Sequence, residues 1–404
     1  MKRTTQNIFR GLLALAVTMA HSHSAIGQDT PLEQEPAVDS LAEALRQGNA
    51  TLDFRARSET VDVEGTDSVD LFSLKTRLTL ASEEYRGFSA MLEMDDVTHI
   101  TEFEGGIADP EGTEVNQYIL AYSTGATTLR YGRQRILLDN QRFVGGVGFR
   151  QNEQTYDGFS LSNTSLEDTT LFLAHIDNVN RIFGEDSPLG DHENDTYLFN
   201  ARYEGISLGA LSAYAYLIDN ETAPLFSTDT YGVRFAGGTG NLDYQLEYAT
   251  QTEAGDNPVP YTADYVLVDG AYELGPIKLA AGYELLGADG GDGQFITPLA
   301  TLHKFQGWND KFLGGGTGNI PGGIEDTYVS AGTTLAGVKL ALNYHQLSSD
   351  DPETSGMKKL GSEYGFLLAG KVGVVGMSLK YSQYQADEFS VDTEKLWLTA
   401  QAQF

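Results

Sequence analysis

Five arginines lie close together between positions 130 and 150 of a chain that is otherwise strongly acidic. Its 404 residues include 57 acids and 26 basic residues, for a formal net charge of −31. Within the cluster the only acid is Asp139, and glycines stand at 145, 146 and 148. A guanidinium offers a planar fork of donors that fits a carboxylate, and rings of Arg and Lys select anions in pores. The cluster members are Arg130, Arg133, Arg135, Arg142 and Arg150.

The sequence contains few motifs for catalysis or for binding cofactors. The sequence has no G-x-S-x-G, H-E-x-x-H or phosphate-loop motif, and its histidines are scattered over different predicted elements. We therefore predict no enzymatic activity and no cofactor. An acidic surface argues against nucleic acid as a partner, because the phosphate backbone is bound by basic patches. Cysteine is absent, so an extensive hydrogen-bonded framework must replace disulfides.

The N-terminus predicts export. Lys2, Arg3 and Arg10 precede an apolar run over 11–20, and a small-residue cleavage motif follows at 25–27. This pattern is typical of a Sec signal peptide, which we assign to residues 1–27 with cleavage before Gln28. An uncleaved anchor is the alternative, but a spanning helix needs about 20 apolar residues. Residues 28–49 would form a periplasmic N-terminal segment.

The rest of the chain alternates in polarity with a period of two. In VKLALNYHQ (338–346) and in the C-terminal EKLWLTAQAQF (394–404), apolar and polar residues point to opposite faces. Such segments of about ten residues predict β-strands with one face toward lipid and one toward water. Tight turns alternate with long acidic or Gly-rich loops, as in an up-and-down meander.

This rhythm predicts an all-β fold, an antiparallel transmembrane barrel over residues 50–404. We count 18 strands, with 16 as the alternative, because so long a meander must close to lose its edges. The 21 Tyr and 19 Phe, many near strand ends, are typical of interfacial aromatic girdles. We therefore predict the outer membrane of a Gram-negative bacterium, in contact with lipopolysaccharide. A last strand that ends on Phe404 resembles the signal read by the barrel-assembly machinery.

One segment before the first strand has a helical period. In PAVDSLAEALRQG (36–48), Val38, Leu41, Ala42 and Leu45 share a stripe, and Gly48 stands at the C-cap position. This helix is either a periplasmic docking element or a short cap packed at the barrel rim.

Strand parity places several basic residues inside the barrel, namely Arg55, Arg57, Lys75, Arg77 and Arg130. At Gly132–Arg133 the alternation breaks, which predicts a bulge or the end of strand 5. The following loop, 136–153, is the third long one, and we expect it to fold into the lumen. Two interpretations then remain open: the arginines form an anion-selective constriction, or they pair with facing acids and brace the wall.

Four peptides also carry a family resemblance: GRQRI (132–136), LDNQRFVG (138–145), FRQNEQTYDG (149–158) and SLAEALRQG (40–48). They resemble the alginate-export family of outer-membrane barrels. The resemblance implies an 18-stranded barrel whose electropositive lumen conducts anionic polyuronate out of the periplasm, with a periplasmic export partner as a further implication. The residues that it places at the constriction are Arg133, Arg135, Asp139, Asn140, Gln141, Arg142 and Arg150.

The function predicted is a passive channel for anionic or polar carbohydrate solutes, with polyuronate export as one form of it. Long acidic loops would repel a polyanion at the mouth, so a general porin for small solutes is the alternative. A non-conducting adhesin or structural barrel is a third class, and it fits an Arg-rich constriction less well.

Two loops are weaker candidates. Asp289 and Asp292 in GADGGDGQ (287–294) are either calcium ligands or part of a solvated acidic loop, since their spacing does not match an EF-hand. The segment 293–323, with Trp308, is predicted to form a lid over the mouth, to stack on sugar rings, or to anchor at lipid headgroups. Residues 184–195 are a further acidic loop that could bind a divalent ion.

Overall fold

The computed structural model describes residues 39–103 and 105–404, and this part of the chain forms a closed antiparallel barrel. Each strand pairs with its sequence neighbours, and β18 pairs with β1 from Asp53–Gln403 to Val63–Thr393. The prediction of 18 strands is therefore confirmed, and 16 is wrong. Within the described residues no α-helix is long and apolar enough to cross a bilayer. The predicted signal peptide lies outside the described residues and stays a prediction.

The strands are β1 (Asn49–Val63), β2 (Val69–Ala81), β3 (Phe88–His99), β4 (Gly112–Thr124), β5 (Thr127–Gln134), β6 (Thr155–Asn163), β7 (Thr169–Asn180), β8 (Asp191–Ile206), β9 (Gly209–Ile218), β10 (Thr228–Thr239), β11 (Leu242–Glu253), β12 (Thr262–Leu274), β13 (Ile277–Leu286), β14 (Ile324–Leu335), β15 (Val338–Ser348), β16 (Lys359–Val372), β17 (Val375–Ala386) and β18 (Thr393–Gln403). The helices are α1 (Leu41–Gln47) and α2 (Pro352–Ser355), with 3₁₀ turns at Pro224–Phe226, Leu302–Lys304 and Gly314–Gly316.

Short turns and long loops collect at opposite ends of the barrel. The short turns lie at the end where β1 begins and β18 finishes, which faces the periplasm in barrels of this kind. The connections at the other end, L1 to L9 in chain order, are mostly longer, and this end is extracellular in such barrels. The two that matter most below are L3 (residues 135–154) and L7 (residues 287–323). One of the short turns, at 164–168 between β6 and β7, contains no glycine or proline that would mark it in the sequence.

Alternation correctly assigns the two faces of the wall. In β18 the side chain of Trp397 is 1% exposed inside the barrel, whereas that of Leu398 is 47% exposed on the outside. Aromatic side chains lie on the outer surface toward both ends of the barrel. Tyr131 packs against Phe159 toward the extracellular side, and Phe88 packs against Tyr122 toward the periplasm. These positions match the predicted interfacial girdles.

Within the described residues, α1 covers only Leu41–Gln47 of the segment with a helical period, and its apolar stripe is exposed. It starts at Leu41, where Ser40 caps it by accepting a hydrogen bond from the backbone N–H of Glu43. Ala44 is buried, and its carbonyl accepts from the N–H of Glu83 in the β2–β3 turn. Leu41 and Leu45 are exposed, so the predicted apolar stripe points away from the barrel. Pro36 and Val38 lie outside the described residues.

Of the two alternatives predicted for Gly132–Arg133, the bulge is wrong, because β5 keeps its register with both neighbours, and the strand end is confirmed, because β5 ends at Gln134. Gly132 has φ +114°, and a Cβ there would lie 2.1 Å from the carbonyl oxygen of Tyr118. Alternation continues through this point. The sequence looked irregular because a charged residue, Arg133, occupies an outward position.

L3 and L7 both fold into the lumen from the end that carries the long loops, as predicted for the third loop. The two loops meet in a short parallel bridge between Val144 and Leu299, and the N–H of Gly145 donates to the Leu299 carbonyl at 2.8 Å. Phe143 packs on Tyr265, with ring centroids 5.1 Å apart. This apolar core lines the inside of strands β6 to β13. We call the two loops together the L3–L7 assembly.

Candidate functional site in the barrel lumen

Arg55 and Arg57 on β1 hold the backbone of L3 rather than presenting free charge. The Nη1 of Arg55 donates to the carbonyl oxygen of Gly148 at 2.9 Å, and its Nη2 donates to that of Arg150. Arg57 donates from Nη1 to the carbonyl of Phe149. Two guanidiniums thus satisfy three consecutive carbonyls of a loop buried inside the barrel, where unpaired backbone groups would be costly.

Arg150 joins four elements in one buried network. Its Nη1 lies 3.0 Å from Oε2 of Glu59 on β1, and its Nη2 lies 3.0 Å from Oδ2 of Asp310 in L7. Asp310 in turn pairs with Lys395 on β18 at 3.1 Å. Burial alone would raise the pKa of Asp310, but His303, Lys395 and Arg150 hold that pKa well below its usual range.

His303 completes this network from L7. Its Nδ1 lies 2.7 Å from Oδ1 of Asp310, its Nε2 lies 2.7 Å from Nζ of Lys380, and its ring stacks on Phe149 at 3.6 Å between centroids. Burial lowers the pKa of His303 to about 3, against the opposing effect of Asp310. A neutral imidazole fits, because it donates to the carboxylate and accepts from the ammonium.

Arg142 anchors the other side of L3. Its side chain is fully buried, and its Nε lies 2.8 Å from Oε1 of Glu284 on β13. Tyr265 donates its hydroxyl to the same carboxylate at 2.9 Å, and the ring of Phe305 covers the guanidinium at 4.7 Å. Strand alternation alone places Glu284 inside the barrel, but alternation cannot identify a partner 142 positions away in the sequence.

A third group of charges lies where L3 leaves β5. Arg135 and Arg77 share the acids Glu93 and Glu153, and Arg77 also pairs with Asp95, with Nη2 and Oδ2 2.6 Å apart. Lys75 lies between Asp95 and Glu153 at 3.7–3.8 Å. The arginine side chains are 25% and 15% exposed, while those of the three acids are only 4–9% exposed. The solvent-facing side of this group is therefore cationic.

Glu153 shows how strongly these cations act. Burial alone would raise its pKa, but Arg77, Arg135 and Lys75 outweigh that effect and hold the pKa of Glu153 well below its usual range. The carboxylate is thus charged, and it fixes the start and the end of L3 to the wall.

Arg133 does not face the lumen, which corrects the prediction for this residue. It lies on the outer face beside Tyr131, and both its Nε and Nη2 donate to the carboxylate of Asp157 at 2.9 and 3.1 Å. The Tyr118 ring lies 5.7 Å away on the same face. Arg130, by contrast, is inward and exposed, and it has no hydrogen-bond or ion-pair partner among the residues that the structure describes.

The tip of L3 holds the remaining predicted residues. Asp139 and Gln141 adopt positive φ values of +48° and +66°. Asp139 is exposed, and its carboxylate accepts hydrogen bonds from the wall residues Asn200 at 2.7 Å and Ser212 at 2.8 Å. Asn140 and Gln141 are partly exposed at the edge of the assembly.

Sequence reasoning missed two residues of L7 at this edge. Lys304 is exposed, and its Nζ donates to the carbonyl oxygen of Asn140 at 2.8 Å, beside the partly buried ring of Phe305. Their loop has no periodicity that would assign a face. Trp308, predicted in a lid, in a sugar-stacking position or at lipid headgroups, lies against the inner wall, with Nζ of Lys380 4.1 Å from its ring and its backbone N–H donating to Glu363.

The predicted calcium residues do not form a cluster. Asp289 accepts from the backbone N–H groups of Gly291 and Gly293 in its own turn, and Asp292 is exposed. Over 39–103 and 105–404 there is no group of three or more side chains suited to hold a metal ion.

Comparison with known proteins identifies the family. A family model described as alginate export matches residues 49–265, more than half of the chain. The chain belongs to the alginate export family. This confirms the resemblance drawn from the L3 peptides. None of the curated proteins compared with the chain matches it significantly.

The alginate export chain also shares its fold with solved outer-membrane channels. OpdK of Pseudomonas aeruginosa, solved with vanillate, is 14% identical with a TM-score of 0.70, covering 89% of this chain and 99% of OpdK. OccK9 (OpdG) of the same organism is also 14% identical, with a TM-score of 0.72 and the same coverage. OccAB4 of Acinetobacter baumannii is 12% identical with a TM-score of 0.68, covering 88% and 98%. These likenesses show that the chain has the β-barrel fold of these channels.

Proposed function

We propose that the barrel is a passive channel for small anionic or polar carbohydrate solutes, guided by the partly exposed guanidiniums of Arg77 and Arg135. The observation that carries this proposal is the unequal exposure within their ion pairs. The arginines are 15% and 25% exposed, whereas the acids behind them are at most 9% exposed. A solute in the lumen therefore meets the cationic side of each pair.

Arginines that are paired with buried acids bind a passing solute less tightly than unpaired arginines would, which favours transport. The buried acids neutralise part of the charge and fix the guanidiniums in place, so each contact with a solute is weak enough for release. Coulomb attraction by partly exposed groups is modest and screened by salt, which favours passage over tight binding. The predicted signal peptide and assembly by Phe404 belong to the same proposal, because a channel must first reach the outer membrane.

The test is the reversal potential of refolded residues 28–404 in planar bilayers under a KCl gradient. We expect anion preference in the unmodified protein and a shift toward cations in the Arg77→Gln/Arg135→Gln variant. Arg133→Gln is the matched control, because Arg133 lies on the outer face of the barrel. Equal shifts in both variants, or cation preference from the start, would contradict the role of the two arginines. Absence of current would favour a non-conducting barrel.

Polyuronate export is the second candidate, and the family match favours it. A polymer would need more room than the packed L3–L7 assembly leaves, so the two loops would have to separate. The chain has no native cysteine, so cysteines at 144 and 299 can be joined selectively by a short bismaleimide. If cross-linking stops the passage of oligouronates but leaves the KCl current intact, polymer export through displaced loops is supported. If oligouronates pass neither before nor after, the small-solute channel stands.

A further inference from the structure

We propose that Arg181, Phe183 and Phe226 form a binding site for monocarboxylates with an apolar body, at the extracellular mouth where L4, L5 and L7 meet. L4 covers residues 181–190 and L5 covers residues 219–227. This inference goes beyond the proposed function, because a solute can bind at the mouth whether or not the barrel conducts. The site shares no residue with the L3–L7 ion pairs described above.

Arg181 begins L4 and lies inside the rim of the barrel. Val179, two positions earlier on β7, is 1% exposed in the apolar core of the lumen. The backbone N–H of Arg181 donates to the carbonyl of Gly190 at 2.7 Å, which closes L4 on itself. L7 passes directly beside it, because a Cβ built on Gly316 would lie 2.7 Å from Nη2 of Arg181 and 3.2 Å from Cζ of Phe226. The three loops therefore meet at this guanidinium.

Arg181 has no counter-charge. It forms no ion pair with a carboxylate in the part of the chain that the structure describes, and burial lowers its pKa with no neighbouring acid to oppose this effect. Two acids of the same loop, Glu185 and Asp186, are exposed to water, where salt screens their charge. Asp191 instead accepts a hydrogen bond from Asn178 at 3.0 Å. An anion that reaches this point meets an unneutralised cation.

His192 lies next to the guanidinium but cannot satisfy it. Nη1 of Arg181 lies 3.3 Å from Nε2 of His192, and Nδ2 of Asn220 lies 2.9 Å from Nδ1 of the same ring. The amide of Asn220 is fixed, because its Oδ1 accepts from the N–H of Ala223 at 2.7 Å. Both neighbours of the ring are therefore donors, whereas a neutral imidazole accepts through one nitrogen and a protonated one through neither. Since the contact with Asn220 is the shorter, Arg181 is left without an acceptor.

The surface around this guanidinium is apolar. Cζ of Arg181 lies 5.1 Å from the ring centroid of Phe183 and 5.7 Å from that of Phe226. Three exposed leucines lie within three positions of these contacts in the sequence: Leu189 beside Gly190, Leu225 beside Phe226, and Leu313, whose carbonyl accepts from the N–H of Gly316. Exposed apolar patches with a polar rim are typical of binding sites.

A monocarboxylate with an apolar body satisfies both parts of this site. Its carboxylate can accept two parallel hydrogen bonds from a guanidinium, and its hydrocarbon can cover the phenylalanine and leucine side chains. A sugar acid would press hydroxyl groups against apolar side chains, which costs free energy when those hydroxyls lose water. An inorganic anion would leave the apolar surface uncovered.

The experiment measures binding of a trifluoromethyl-labelled hexanoate to refolded residues 28–404 in detergent by fluorine NMR, with empty micelles as the blank. We expect saturable binding that hexanoate reverses, and that acetate, glucuronate and hexanamide reverse only at much higher concentration. Arg181→Met should weaken binding about tenfold, the size typical of a hydrogen bond to a charged group, and Arg181→Lys should weaken it less. Phe226→Ala should weaken it about threefold.

Arg133→Met is the matched control, because it removes an arginine from the outer wall, and it should bind like the unmodified protein. Heat-modifiable migration on gels verifies that each variant is folded. Equal affinities of the unmodified protein and Arg181→Met would overturn the site. Displacement by acetate as effective as by hexanoate, without an effect of Phe226→Ala, would show a simple anion site. Equally effective displacement by glucuronate or by hexanamide would likewise overturn the assignment to apolar monocarboxylates.

The reversal potential of the same preparations tests the channel separately. Binding that depends on Arg181 in a barrel without current would support the site and contradict the proposed function. Current without such binding would contradict the site and leave the channel standing.

Discussion

Arg142 and Glu284, 142 positions apart in the sequence, form an ion pair inside the barrel, with Nε and Oε1 2.8 Å apart and side-chain exposures of 0% and 3%. The pair joins the middle of L3 to β13. Two charges at this depth are tolerated because each also has a second neighbour, Phe305 over the guanidinium and Tyr265 on the carboxylate.

Removing one partner of this pair should be costly. We expect Arg142→Met to lower the free energy of unfolding by about 3–5 kcal/mol, because it leaves the Glu284 carboxylate buried without a counter-charge. The double variant Arg142→Met/Glu284→Leu should recover most of that loss. Urea titration of the refolded barrel in detergent measures both. Single and double variants of equal stability would contradict a buried ion pair.

Arg130 should behave in the opposite way. It is exposed in the lumen and has no partner within the described residues, so Arg130→Gln should change the free energy of unfolding by no more than about 0.5 kcal/mol. The same change should reduce the preference for anions in the reversal potential, because a lumenal charge is lost. A stability loss comparable to that of Arg142→Met would show that Arg130 has a structural partner.

The low pKa of His303 predicts a dependence of stability on pH. The folded state keeps this imidazole neutral down to about pH 3, whereas the unfolded chain binds a proton near pH 6.5. Stability linked to His303 is therefore fully present above pH 6.5 and is lost as the pH falls toward 3. Between pH 7 and 4.5 this amounts to about 2 kcal/mol. His303→Gln should flatten the pH dependence in this window, and a slope equal to that of the unmodified barrel would contradict the prediction.

Phe404 should matter more for assembly than for stability. Its ring is 68% exposed and touches Phe54 only edge-on, with centroids 6.4 Å apart. We expect Phe404→Ala to leave the urea midpoint of refolded protein nearly unchanged but to reduce the amount of folded barrel in isolated outer membranes. Phe88→Ala, at the same rim, is the control. Equal membrane yields for the two variants would remove the proposed role of Phe404 in recognition by the assembly machinery.

The fold was largely predictable because a period of two assigns each residue to a face. That is why the inward position of Trp397, the outward position of Leu398 and the number of strands followed from the sequence. Arg133 was misplaced for a related reason: a charge on the outer wall, neutralised by Asp157, looks like an error in the pattern. Alternation within a single strand is enough to assign each residue to a face, so the neighbouring strands need not be known.

The site was less predictable because its contacts join distant segments. Alternation says that Arg55 and Glu284 point inward, but not that one binds the carbonyls of L3 and the other binds Arg142. Depth and pairing depend on how two loops fold within the lumen. Lys304 lies in a loop without periodicity, and no local signal marked it. The choice between an anion-selective and a wall-bracing role for the arginines likewise depends on the exposed fraction of each side chain. Only the three-dimensional structure gives that fraction.

The network around Arg150 also has a consequence for how the barrel closes. Glu59 belongs to the first strand and Lys395 to the last, and these strands form the seam that converts an open sheet into a cylinder. Arg150 in L3 and Asp310 in L7 connect Glu59 to Lys395 from inside the barrel. The two loops therefore hold the first and last strands together. Folding of L3 and L7 and closure of the cylinder are thereby coupled. A change in either loop should therefore weaken the pairing of β1 with β18 before it affects other strand pairs.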